Sequence, residues 1–209
     1  MKLAVFGATG RTGKLLVAQA LEAGHDVVAF ARTPSKLGIK HERLTVVQGD
    51  VQDTEPVVTA VTGTDAVLSV LGPVSNEPTY EVSQGMAHIL AAMEQHGVRR
   101  LVQSVGAGIG DANDRPGLFD RAIRVVLKLA SRHVYEDMVR VAEAIRASDL
   151  DWTLVRVPML TDDPATGDVK VGYLGQGVGP RLSRADLAAF LLKEAQDPAY
   201  LRQAPVISN

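Results

Sequence analysis

The sequence predicts an α/β fold: a single doubly wound parallel sheet with helices on both faces and a small elaboration toward the C-terminus. Three observations predict it. Short apolar runs alternate with stretches of helical period along the chain. Several of these runs are apolar on consecutive residues, as strands buried on both faces must be. A glycine-rich loop lies directly between the first run and the first helical stretch.

The strands are expected at residues 2–6, 26–30, 44–48, 66–70, 100–104, 152–157 and 205–207. Helices fill the gaps. The first, residues 12–23, stops at Gly24, a natural left-handed residue after a helix. Residues 80–96 put Val82, Met86, Ile89, Leu90 and Met93 on one stripe and stop at Gly97. Residues 136–147 do the same with Met138, Val141, Ala142 and Ile145. Ser183-Arg184-Ala185-Asp186 reads as a capping box opening a last helix, with Leu187, Phe190 and Leu191 inward. Strands alternating with helices of this length imply right-handed crossovers. Two stretches break the alternation: residues 106–117, rich in Gly, Asp and Asn, and residues 161–180, with five glycines. Both follow carboxyl ends of strands, where open α/β sheets hold ligands. They are expected to be substrate-side loops spanning residues 105–120 and 159–182, although the second also reads as a plain surface connection.

Composition excludes several function classes. The 209 residues make one domain, 1–209, large enough to bury roughly 70% of its surface. No cysteine is present, which removes disulfides, thiolate metal sites and a cysteine nucleophile. A net charge of −2 argues against nucleic acid as a partner. The apolar run after Met1-Lys2 is too short for a signal peptide, and no stretch is long enough for a membrane span, so a cytoplasmic protein without a membrane partner is expected. His25, His41, His88, His96 and His133 show no metal-ligand spacing and read as structural or solvated. Trp152 reads as core, and no metal site is expected.

The strongest chemical signal is Gly7-Ala8-Thr9-Gly10-Arg11-Thr12-Gly13, after the first strand and opening the first helix. Gly7 permits the tight turn, Gly10 a close approach of backbone to a pyrophosphate, and Gly13 close packing of helix on sheet. The helix N-terminus then offers free N–H groups to phosphates. Lys14 follows Gly13, but Leu15 follows Lys14 and Thr12 stands where the first spacing needs glycine, so the loop is not a Walker P-loop. No acid ends the second strand, where a ribose 2′-hydroxyl would require one. Arg32 stands there instead, with Lys36 and Arg11 expected nearby, which suits a 2′-phosphate and predicts NADP(H) as cofactor. Gly49-Asp50-Val51, after the third strand, is placed to meet the adenine.

These motifs, with Val67-Leu68-Ser69-Val70-Leu71-Gly72, Gly97-Val98-Arg99-Arg100-Leu101-Val102, residues 148–156 and residues 181–188, resemble the atypical short-chain dehydrogenases with Rossmann-like NAD(P)-binding domains. Within that group the chain is most similar to the flavin/biliverdin reductases, and next to the NmrA-like proteins. The resemblance implies that Thr9 through Gly13 surround the pyrophosphate, including Gly10, Arg11 and Thr12. It places Arg32 at the adenosine phosphate, Asp50 and Val51 at the adenine, and Leu71 and Gly72 along the ribose and nicotinamide. Ser104 and Pro158 would lie at the ends of the fifth and sixth strands. The family's catalytic serine falls on Gly106 and its histidine on Met159, both on the substrate side, which argues against biliverdin as substrate.

Conventional relatives carry Tyr-x-x-x-Lys. Here Tyr80, Tyr135, Tyr173 and Tyr200 are followed four residues later by Gln84, Val139, Gly177 and Ala204. Alcohol and ketone chemistry by that pair is therefore not expected, and neither is an isomerase or epimerase. Hydride transfer to a flavin, quinone or similar conjugated acceptor needs less help, because the ring is already electron-poor and the protein mainly orients two stacked rings. No catalytic residue is assigned. Ser104 and Tyr135 are the candidates to supply a hydrogen bond. The alternative is an NmrA-like regulator that senses the NADP redox state and binds a protein partner. Arg121, Arg124, Lys128 and Arg132 form a basic stripe on a helix expected from Leu118, read as a solvated face or as a clamp for an anionic substrate.

Overall fold

The computed structural model describes residues 1–117, 125–126 and 128–209. The element order is β1 (Lys2–Phe6), α1 (Arg11–Glu22), β2 (Asp26–Ala31), β3 (Leu44–Gln48), α2 (Thr54–Val61), β4 (Ala66–Ser69), α3 (Glu81–Gln95) and β5 (Arg100–Gly106). Then come α4 (Arg132–Ala147), β6 (Asp151–Val157), β7 (Met159–Thr161), β8 (Lys170–Gly172), β9 (Arg181–Ser183), α5 (Arg184–Gln196) and β10 (Val206–Ser208). Eight strands form one sheet in the order β3-β2-β1-β4-β5-β6-β10-β8, and β7 pairs with β9 apart from it. Every pairing in the large sheet is parallel except β10 with β8. The α/β doubly wound expectation is borne out.

Helices cover both faces. On one, Leu16, Val17 and Ala20 of α1 and Leu187, Ala188 and Leu191 of α5 pack over Leu3, Val5 and Leu68. On the other, α2, α3 and α4 bring Val57, Met86, Ile89, Met93, Val141 and Ile145 onto Ala4, Phe6, Val67 and Leu101. Trp152 belongs to this second core. Burial of β1 and β4 on both faces explains their unbroken apolar sequences.

Helix ends follow local rules. Gly24 takes φ 81° after α1, with its N–H on the Leu21 carbonyl. Ser183 caps α5, its hydroxyl oxygen accepting from the Asp186 N–H at 3.0 Å. Helix α4 starts at Arg132 rather than 136, because the Asn76 side-chain oxygen accepts from the His133 and Val134 N–H groups, capping it from a distant loop. Sequence reading also passed over α2 and the three-residue strands β7, β8 and β9. Eight residues, or three, show too little periodicity to register.

The topology places the site. From β1 the chain winds toward β2 and β3, and from β4 toward β5 and β6. The direction reverses between β1 and β4, so the loops leaving their carboxyl ends diverge and open a crevice.

Candidate functional site

The turn after β1 forms the crevice wall. Gly7 sits at φ 80°, and a Cβ there would come within 3.0 Å of the Val70 backbone. Gly10 donates its N–H to the Gly7 carbonyl at 3.0 Å. A Cβ on Gly13 would collide with that same carbonyl oxygen. The loop therefore folds against the β4 turn and against its own helix because Gly7 and Gly13 lack side chains. Helix α1 has no side-chain cap and no acid in its first turn, so its leading N–H groups remain available to an anion.

The crevice is a cleft of about 560 Å³, within the usual range for small-molecule sites. Of the residues expected at a cofactor, it is lined by Gly7, Thr9, Gly10, Arg32, Asp50, Val51, Leu71 and Gly72. Lys36 and Thr33 join Arg32 at the β2 end. The Arg32 guanidinium lies 3.7 Å from the Asp50 carboxylate, the Arg32 side chain exposed and that of Asp50 partly buried. Val51 is held from below: its carbonyl meets His88 Nδ1 at 2.9 Å, and a Cβ on Gly85 of α3 would press into its side chain.

Other expected residues lie elsewhere. Thr12 and Gly13 are buried behind the loop in α1. Arg11 turns away from Arg32: its guanidinium donates to Asp162 at 2.9 Å, and Asp162 also accepts from Arg184 at 2.7 Å. Ser104, Gly106, Pro158 and Met159 are not among the cleft-lining residues; Met159 is 57% exposed. Tyr135 packs against the helix-covered core with Lys128 Nζ 5.0 Å above its ring, and it does not line the cleft. Gln103, fully buried beneath, donates from its amide to the Leu71 carbonyl at 3.4 Å and supports the cleft floor.

The loops at 106–117 and 161–180 are fastened to each other. The Arg115 N–H donates to the Leu174 carbonyl at 2.9 Å, and Gln176 donates to the Asn113 carbonyl at 2.6 Å. Neither loop contributes to the cleft lining. Arg121 and Arg124 of the basic stripe, and the helix start expected at Leu118, lie outside the described residues. Arg132 is engaged at 2.7 Å by Glu136.

Residues for which the sequence predicts no binding role, including His133, read as structural or solvated, complete the cleft. Pro73, Val74, Ser75, Glu77, Thr79 and Glu81 come from the β4–α3 connection, and His133 and Asp137 from α4. Asp137 is buried and accepts from the Val82 and Ser83 N–H groups, capping α3. Tyr80, at φ 54°, donates its hydroxyl to Glu136 at 3.0 Å, and Arg140 stacks 3.9 Å over its ring. That hydrogen bond to Glu136 raises the Tyr80 hydroxyl above its ordinary value. Hydrogen bonds from Arg132 and then Tyr80 hold Glu136 below the usual carboxylate range. No sequence motif links residues 50 or more apart, so only the fold could bring these together.

Among the described residues there is no cluster of potential metal ligands, and no helix long and apolar enough to cross a membrane.

Known proteins are similar to this chain in sequence and in fold. Residues 7–198 match the NAD(P)H-binding family. The chain is 32% identical to Oxidoreductase stcQ of Emericella nidulans, over 98% of this chain and 81% of that protein. It is 29% identical to Oxidoreductase AgnL4 of Paecilomyces divaricatus, over 93% of this chain and 79% of that one. Among solved structures, a short-chain dehydrogenase/reductase of Veillonella parvula in complex with NADP superposes with a TM-score of 0.81 at 21% identity, covering 100% of this chain and 94% of that one. ChuY, an anaerobillin reductase of Escherichia coli, superposes at 0.79 with 20% identity, covering 100% and 97%. The glycine loop at the sheet's switch point, its uncapped helix and the match across nearly the whole chain lead to one assignment: the chain belongs to the NAD(P)H-binding family of oxidoreductases.

Proposed function

We propose that the protein is an NADPH-dependent reductase that delivers hydride to a flavin, quinone or similarly conjugated small-molecule acceptor. The observation that carries this reading is the layout of the cleft. Its β2 end presents Arg32 and Lys36, its middle the glycine loop, and its far end the β4–α3 connection and α4. A dinucleotide fits that layout, with the 2′-phosphate at Arg32 and Lys36, the adenine against Asp50 and Val51, and the pyrophosphate on Gly10 and the first turn of α1. Thr9 and Gly7 would flank the pyrophosphate, and Leu71 and Gly72 the nicotinamide ribose. When bound, the cofactor supplies the hydride.

The acceptor class follows from what the chain does not pair. No tyrosine has a lysine four residues on, so the tyrosine–lysine pair that conventional relatives use on alcohols and ketones is missing. The Pro73-Val74 segment offers apolar surface beside Leu71 on which a flat ring can lie. The likeness to ChuY, a reductase by its name, supports the reading at the level of fold.

The test is oxidation of NADPH and NADH by the purified protein with riboflavin, FMN and a set of quinones. Turnover with NADPH preferred over NADH is the expected result. Tight NADP(H) binding with no turnover of any acceptor would overturn it in favour of a redox-sensing regulator.

A further inference from the structure

Reducing a conjugated acceptor consumes a proton as well as a hydride, and neither Ser104 nor Tyr135 lines the cleft. His133 does. It stands near the start of α4, which connects β5 to β6, on the opposite side of the switch point from β2 and Arg32. This is the end of the cleft that remains once the adenosine phosphate lies at Arg32.

The surroundings of His133 are those of an oriented acid. Its Nδ1 lies 3.7 Å from Glu136 Oε2 and 3.5 Å from the Tyr80 hydroxyl. Its backbone N–H is fixed on Asn76 at 3.1 Å. Nε2 has no hydrogen-bond partner among the described residues. The Tyr80 hydroxyl at hydrogen-bond reach of Nδ1, with the Glu136 carboxylate just beyond it, holds the ring from one side and leaves the other nitrogen to exchange a proton. The neighbouring charges are already committed. Arg132 holds Glu136 Oε1 at 2.7 Å, Arg140 stacks on Tyr80, and Asp137 caps α3. Glu77 and Glu81, and Asp50 at the β2 end, are the other acids lining the cleft. Tyr80 itself sits in a left-handed backbone, φ 54°, a kind of strain that gathers at functional sites, and donates its hydroxyl to Glu136.

We propose that His133 is the acid that protonates the acceptor as hydride arrives, with Glu136 and Tyr80 as its positioning residues. The inference rests on the reductase reading above. Hydride from the reduced nicotinamide forms a new bond to one acceptor atom, and the displaced electron pair moves through the conjugated system to an oxygen or nitrogen. That atom takes the proton from Nε2 of the His133 imidazolium. The side chain is 31% exposed, so the neutral imidazole regains a proton from solvent. The sum is NADPH, acceptor and one proton to NADP+ and the reduced acceptor.

The experiment compares His133→Asn, Tyr80→Phe and Glu136→Gln with wild type, using FMN and menadione as acceptors. His133→Asn is expected to lose about a hundredfold or more in kcat and its pH-dependent limb, with NADPH affinity by fluorescence titration unchanged. Glu136→Gln keeps that affinity and loses part of kcat, because the ring loses the carboxylate beside Nδ1. Tyr80→Phe gives a smaller loss in kcat. A wild-type kcat and pH profile in His133→Asn would overturn the proposal, as would a loss of NADPH affinity as large as the loss of kcat. Ring nitrogen NMR of His133 needs no acceptor: addition of NADP+ is expected to move the Nε2 signal, and an unmoved signal overturns the proposal. If wild-type protein turns over neither acceptor, the reductase reading fails, and the NMR result still decides whether Nε2 faces the bound cofactor.

Discussion

Arg32 and Asp50 face each other at 3.7 Å across the β2 end of the cleft, Arg32 exposed and Asp50 partly buried. An ion pair of that kind contributes about 0–1 kcal/mol, too little to hold Arg32 away from a stronger partner. A phosphate is such a partner, because charge-assisted hydrogen bonds contribute about 1.5–3 kcal/mol. Arg32→Ala is therefore expected to weaken NADPH binding by roughly ten- to hundredfold while leaving NADH binding nearly unchanged. Titration of the variant with each nucleotide checks this, and an equal loss for both would remove Arg32 from the 2′-phosphate. Arg32 and Asp50 were legible in the sequence because they lie one and two residues past the ends of β2 and β3, where chain position fixes location. His133 was not. It reaches the cleft through Asn76, 57 residues away, and no local pattern encodes that contact.

At the scale of elements, the start of α5 shows how a short motif gains a second role from its surroundings. Sequence reading found the Ser183–Asp186 cap. It did not find that the buried Asp186 carboxylate also accepts from the Thr166 and Gly167 N–H groups, at 2.9 and 3.0 Å, and from Asn209. Asp186 thereby ties the loop after β7 and the C-terminus to the helix. Burial alone would raise its carboxyl, but the backbone hydrogen bonds from Thr166 and Gly167, with the hydroxyls of Ser183 and Thr166, outweigh it and hold the group below its ordinary value. A depressed carboxylate stabilises the fold above its unfolded value, about 3.9, and that stability is lost as pH falls through the folded value. Asp186→Asn is expected to cost about 1–3 kcal/mol at neutral pH and to flatten the acid dependence of stability. Urea unfolding of both proteins at a series of pH values measures it. A gap between the two that stays constant into acid would contradict the assignment. Strands β7 and β9 were illegible for a related reason: residues 159–161 pair with 181–183 across a long loop, and three residues carry no alternation.

Over the whole molecule, the doubly wound class and the glycine loop after β1 were legible in the alternation and the motif, whereas the strand order that opens the crevice between β1 and β4 comes from the fold. The fastening of the C-terminal half was not legible either, because it depends on one charge in an apolar strand. Arg156 of β6 is fully buried, and it makes a bidentate pair with Asp114 at 2.8 Å for each bond. Two of its other donors meet the carbonyls of Ala204 and Ile109. Asp114 also accepts from the Leu174 N–H, so this pair is the post on which the 106–117 and 161–180 loops are tied together. Removing one partner strands a buried charge, which typically costs about 3–5 kcal/mol, whereas replacing both with apolar groups can be nearly neutral. Asp114→Asn is thus expected to destabilise the protein by about 3–5 kcal/mol, and Asp114→Asn with Arg156→Met to recover much of that loss. Burial pushes the Asp114 carboxyl up, but hydrogen bonds from Arg156 and the Asp111 and Leu174 N–H groups bring it below its ordinary value. Its contribution is therefore present at neutral pH and is lost in acid, as the wild type comes to resemble Asp114→Asn. Neither residue lines the cleft, so NADPH affinity measured well below the melting temperature should be unchanged in both variants. Thermal denaturation across pH with parallel NADPH titration measures both quantities, and a loss of affinity without a loss of stability would mean that the pair serves the site rather than the scaffold.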